Sequence, residues 1–155
     1  MKLTLNRKGQ TMLTQHYTLA STIAVRGTTG ITQNVTFSYP LVKAGVGYTW
    51  AFGATSSTAS ELTVTRIPHG GKVKAICNGG GCPFAQRTFA ARRGRVDLAP
   101  AFKGHALRSG ATLVIEVIAA NQVGKVETFK IRGGEPPAVN RECLPPGTSR
   151  PGRCV

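Results

Sequence analysis

Carboxylates are scarce in this chain. Six Asp and Glu stand against 20 Lys and Arg, and none of the six precedes Glu61. So small a stock leaves little for acid–base chemistry. Asp97 and Glu116 are single groups with no second carboxylate nearby in sequence, whereas a glycosidase needs two. Other signatures are missing as well. There is no G-x-S-x-G elbow, no P-loop and no dinucleotide fingerprint. A redox C-x-x-C is absent, which excludes thioredoxin-like chemistry. No run of 18 apolar residues occurs, so no transmembrane helix is expected. His16, His69 and His105 have no carboxylate at ligand or triad spacing, and His69 and His105 read as loop surface. The sequence thus points to no cofactor, no metal and no catalytic residues, and the protein is expected not to be an enzyme.

What is present is turn chemistry and positive charge. The 155 residues include 19 Gly and 9 Pro, a supply that suits many short strands. Hydrophobic residues make up 41%, enough to bury a core. The net charge is +14, spread along the chain and not gathered in a tail. Such a surface attracts polyanions, whether nucleic acid, anionic lipid or an anionic cell-wall polymer, and a surface protein is a further candidate partner. Aromatics are only 6% and sit mostly at strand core positions, so the stacking platforms of a nucleic-acid binder are not evident. Residues 1–30 are too polar to provide the apolar core of a secretory signal. The chain is expected to be a processed or truncated form.

Period-two alternation appears nearly everywhere. It predicts strands at Tyr17–Val25, Ile31–Tyr39, Glu61–Ile67, Lys72–Cys77, Gln86–Phe89, Ala111–Ile118 and Lys125–Ile131, with a turn over Arg26–Gly30. Only Val96–Phe102 offers a helical turn or two, limited by Pro100. Leu62, Val64, Val73, Ile76, Leu113, Ile115, Val117, Phe129 and Ile131 are the expected core. Ala54–Ser60 reads as a linker or an inter-strand loop. The sequon Asn34-Val35-Thr36 lies in a strand and reads as incidental. The fold class is all-β, an immunoglobulin-like sandwich, with a small barrel as the alternative. Three units are expected: a β-segment over 1–47, the sandwich over 48–134, and an extended Pro/Gly-rich tail over 135–155.

The four cysteines fall into two local pairs. Asn78-Gly79-Gly80-Gly81 between Cys77 and Cys82 can take the positive φ angles of a tight cross-linked turn. Cys143 and Cys154 enclose a stretch rich in Pro and Gly. Each bridge would stabilise by about 2–3 kcal/mol. A zinc site built from all four thiolates is disfavoured, because the spacings do not match a zinc knuckle. Disulfides imply an oxidising compartment, so an extracellular or cell-surface location is expected.

One basic run stands out. Arg87, Arg92, Arg93 and Arg95 lie within nine residues, and Lys72 and Lys74 share a strand face that would extend the patch. Guanidinium groups bind phosphate or carboxylate bidentately. The competing reading is a solvated basic loop.

The ordered set Leu62-Thr63-Val64, Ile67-Pro68-His69-Gly70, Cys77-x-Gly79-Gly80-Gly81-Cys82-Pro83-Phe84, Gly94-Arg95-Val96-Asp97-Leu98 and Cys143-Leu144-Pro145-Pro146-Gly147 with Cys154 resembles a C-terminal β-module. This module occurs in secreted and surface proteins of high-GC actinobacteria. The aromatic strand Tyr48-Thr49-Trp50-Ala51-Phe52 belongs to the same pattern. The likeness covers residues 48–155. It implies location and fold, and no activity. The expected function is therefore a structural or adhesive surface module with a basic face. A nucleic-acid-binding protein and a small hydrolase with an unrecognised site are the alternatives.

Intact-mass analysis of protein secreted from an oxidising host tests the cysteine reading. All four thiols should react with alkylating agent only after reduction. Free thiols before reduction would favour the zinc or cytoplasmic alternatives.

Overall fold

The computed structural model describes residues 4–25 and 30–154. The turn expected over Arg26–Gly30 falls largely outside them. The chain is mostly β, in several antiparallel sheets, with two disulfides.

The first element is a helix that alternation did not predict. α1 (Arg7–His16) starts at Asn6, whose Oδ1 accepts the Gly9 amide at 2.9 Å. That is a standard N-cap. The helix ends at Tyr17, held in the left-handed region at φ 60°. Only Leu13 is buried, so the helix carries no apolar stripe to betray it. β1 (Thr18–Val25) and β2 (Ile31–Ser38) then form a two-stranded sheet of their own. Tyr17 and Tyr39 pack with Val123 and Cys143 in a small cluster apart from the main core.

The remaining strands build two sheets. One has the order β11-β10-β9-β5-β6. Its strands are β5 (Lys72–Asn78), β6 (Gln86–Ala90), β9 (Thr112–Ile118), β10 (Gly124–Arg132) and β11 (Glu135–Leu144). The other has the order β3-β4-β7, from β3 (Gly45–Phe52), β4 (Ser56–Thr65) and β7 (Val96–Asp97), with β8 (Leu107–Arg108) also pairing β4. Leu62 and Val64 of one sheet share a single core with Val73, Leu113, Ile115 and Phe129 of the other. The short helix α2 (Ala99–Phe102) adds Phe102, whose ring lies 5.2 Å from Phe84.

Four expectations change. Ile76 leaves the core: Val73, Ala75 and Cys77 face inward, so alternation turns Ile76 to the outer, half-exposed face. Residues 54–60 are no linker, because β4 begins at Ser56 and pairs Ser57 with Phe52 and Leu107. The two-sheet unit starts before residue 48, since Val42 and Ala44 are buried in its core. Residues 135–144 are not an extended tail. They form β11, an edge strand paired along β10. Pro136 and Pro137 fit there because an edge strand can spare a backbone donor.

Both disulfides join near neighbours, Cys77–Cys82 and Cys143–Cys154. The glycine triplet inside the first has a second reason to be glycine. The Gly80 carbonyl accepts the Arg108 amide at 2.9 Å, so the 106–111 segment passes directly over the turn.

Two glycines with nearly the same φ separate strain from crowding. Gly81 (φ 85°) would drive a Cβ into the Ala106 carbonyl, whereas Gly110 (φ 88°) has open space. Gly110→Ala should cost about 1 kcal/mol from conformation alone. Gly81→Ala should cost more than about 2 kcal/mol in urea denaturation. Equal losses would mean that the overlying segment moves aside freely.

Candidate anion-binding cleft

The sites begin with side-chain direction. In the register Ala75↔Arg87 and Val73↔Phe89, Arg87 and Phe89 fall on the inner face of the sheet. β6 lies at the sheet's end, so these residues overhang the flank of the core. Phe89 packs against the core, and the Arg87 guanidinium lies 5.3 Å from its ring centroid. That cation–π contact restrains an otherwise mobile side chain.

The chain then turns back through Arg92-Arg93-Gly94-Arg95. Arg92 and Arg95 exchange both backbone hydrogen bonds at 3.0 Å. Arg93 (φ 50°) and Gly94 (φ 70°) are both left-handed. This is the two-residue hairpin turn of the I′ type, which needs positive φ at both central positions. The Gly94 carbonyl accepts the Ile67 amide at 2.9 Å and ties the turn to the other sheet. A directly paired position places both side chains on one face. Arg92 and Arg95 are therefore like charges held opposite each other.

Arg87, Arg92 and Arg95 line one cleft of about 580 Å³ together with Phe89, Val96 and Asp97. None of the three arginines is in an ion pair among the described residues. Asp97 is the one carboxylate in the lining, and its Oδ1 accepts the Ala99 amide at 3.1 Å. Three guanidiniums face one engaged carboxylate, so the cleft carries a net positive charge.

The other three candidates lie elsewhere. Arg93 sits at the turn apex and does not line the cleft. Lys72 and Lys74 share a face, but it is the outer face of the sheet, opposite to that of Arg87. Lys74 is moreover engaged with Glu116, its Nζ 3.4 Å from the carboxylate. Lys72 lines a separate depression beside Pro145 and Pro146. The expected extension of the patch by these lysines is thus corrected by strand alternation.

A second basic depression, of about 450 Å³, is lined by Lys43, Arg66, Lys125 and Arg141, with Glu142 also in the lining. These residues are scattered along the chain, and no local pattern links them. Two are already paired with one shared carboxylate. Glu127 is 1% exposed, and its Oε1 takes Lys125 Nζ at 2.8 Å and Arg141 Nε at 3.3 Å. Lys125 also donates to the Ala44 carbonyl at 3.1 Å. This group joins the two sheets along one flank, and its cations are structural.

The described residues include no cluster of three or more potential metal-ligating side chains. Among them, no helix is long and apolar enough to cross a membrane.

The two kinds of cation should respond differently to removal. Arg95→Thr relieves like-charge repulsion and should leave stability unchanged or raise it by up to about 0.5 kcal/mol at low salt. Lys74→Met leaves the buried Glu116 without its partner and should cost about 1 kcal/mol. Urea titrations at low ionic strength measure both. A large loss for Arg95→Thr would make that residue part of the fold's support instead of a free binding group. In comparisons with known proteins, no family model, no curated protein and no solved structure matches this chain.

Proposed function

We infer that this chain is a non-catalytic extracellular or cell-surface module of immunoglobulin-like architecture. It acts as a structural or adhesive unit, and its arginine cleft holds carboxylate or phosphate groups of a surface partner. The strand order supports the architecture. β3, β4 and β7 correspond to the A, B and E strands of such a sandwich, and β6, β5, β9 and β10 to C′, C, F and G, with β11 added at the edge. Two disulfides, with no free cysteine among the described residues, support an oxidising compartment. The likeness to the actinobacterial surface module agrees with both.

One observation carries the binding assignment. Arg87, Arg92 and Arg95 outnumber Asp97, the one carboxylate in the cleft lining, and none of the three is in an ion pair among the described residues, while Arg92 and Arg95 are held opposite each other against their mutual repulsion. An anion between them turns repulsion into bidentate attraction.

Isothermal titration with polyphosphate and with polygalacturonate tests this reading. A variant with Arg87, Arg92 and Arg95 changed to alanine should lose at least about tenfold in affinity. A control variant removes the same charge elsewhere, at Lys72, Lys103 and Lys130, and should lose no more than about threefold. Equal losses would leave only bulk charge. Tight binding of duplex DNA with the same steep salt dependence in both variants would favour the nucleic-acid reading.

A further inference from the structure

Among the described residues, the arginine cleft lies between two unpaired strand edges. β6 ends one sheet and β7 ends the other. Arg87, Thr88 and Phe89 line the cleft from one side, Val96 and Asp97 from the other. The backbone phase of β6 follows from its ladder. Cys77 N–H donates to the Ala85 carbonyl at 2.9 Å, and the register continues through Ala75↔Arg87 and Val73↔Phe89. In an antiparallel pair, hydrogen-bonded positions alternate with non-bonded ones. Ala85, Arg87 and Phe89 therefore turn their backbone groups toward β5. Gln86, Thr88 and Ala90 turn theirs outward, and all three are exposed.

We propose that the free edge of β6 is a strand-addition site for an extended acidic peptide segment of a surface protein, with alternate carboxylates seated on Arg87, Arg92 and Arg95. This rests on the anion-binding reading of the same cleft and names the carrier of the anion. Edge strands accept an added strand through their outward backbone groups, while alternate side chains give specificity. Arg87 lies on the inner face, so a strand docked beside β6 presents every second side chain to the cleft. A polysaccharide or polyphosphate would use the guanidiniums and leave the backbone edge of β6 unpaired.

Charge selects against a second copy of this chain. The other edge strand of the same sheet, β11, carries Glu135 and Glu142 seven residues apart with Arg141 between them, so it offers no carboxylates at period two. A chain of net charge +14 is also repelled from its own basic edge. The partner must supply carboxylates at period two.

The test uses the whole chain and a synthetic peptide of about six to eight residues that alternates Glu with Thr. A second peptide of the same composition has its glutamates consecutive. The alternating peptide should bind at least about tenfold more tightly. Thr88→Pro removes the outward donor at an edge position, where proline is compatible with the strand. It should weaken peptide binding by at least about tenfold and change polyphosphate binding by less than about twofold. Should Thr88→Pro unfold, the peptide alone decides. N-methylation of its alternate amides in one phase should abolish binding, and methylation in the other phase should be tolerated. Equal affinity for the two peptides, or equal effects of the two methylation phases, overturns strand addition. If polyphosphate still binds in the cleft, the anion-binding reading survives that result. Loss of both overturns both.

Discussion

Phe129 stands between the two sheets, with the Tyr48 ring edge-on at 4.8 Å and Trp50 tilted at 5.6 Å. It is fully buried, and the direction of every neighbouring side chain follows from its own. Once Phe129 and Ile131 face inward, the register with β9 turns Leu113 inward, and β5 must bring Val73, Ala75 and Cys77 to the same side. A one-residue slip in any of these pairings would expose the whole apolar set. The inner face of one large sheet is thereby tied to Leu62 and Val64 of the other, and no outer-face residue can change sides independently.

This constraint has different consequences on the two flanks of the core. On the β10–β11 flank, Glu127 points inward because it shares the phase of Phe129. A carboxylate there is tolerable only with cations, and Lys125 and Arg141 reach it. The Cys143–Cys154 bridge then holds the chain beyond β11 against the same region. On the β6–β7 flank, among the described residues, no strand and no ion pair closes the gap. Arg87 lies in the inward phase but beyond the reach of the facing sheet, and the tight turn at Arg93-Gly94 brings Arg92 and Arg95 beside it. The open flank thus holds arginines that are in no ion pair among the described residues, whereas on the closed flank Lys125 and Arg141 share the Glu127 carboxylate.

Much of the β-content was legible because alternation is a local property. Glu61–Ile67, Lys72–Cys77, Ala111–Ile118 and Lys125–Ile131 all fall within or overlap observed strands. The helix α1 was not legible, since its signal is a single capping side chain and one buried leucine. β11 was hidden by Pro136 and Pro137, which argue against a strand unless it is known to be an edge. The small polar residues of Ala54–Ser60 suit a linker or an inter-strand loop, yet from Ser56 onward they serve equally in β4, where Ser57 is buried. In each case the missing information was which neighbour the segment would meet.

By itself, the sequence determined that the chain is rich in β-strand, that its cysteines pair locally, and that its surface is strongly basic. Periodicity, spacing and composition are local quantities, and each can be read without knowing where the chain goes next. Only the tertiary structure decided which basic residues act together. Arg87, Arg92 and Arg95 meet because one strand ends a sheet and a two-residue turn reverses the chain beside it. Lys72 and Lys74, which the sequence grouped with them, point away because residues paired across an antiparallel ladder share a face and their neighbours on the strand do not. Convergence of side chains depends on register and on the position of a strand within its sheet, and a linear sequence does not contain either until the core has formed.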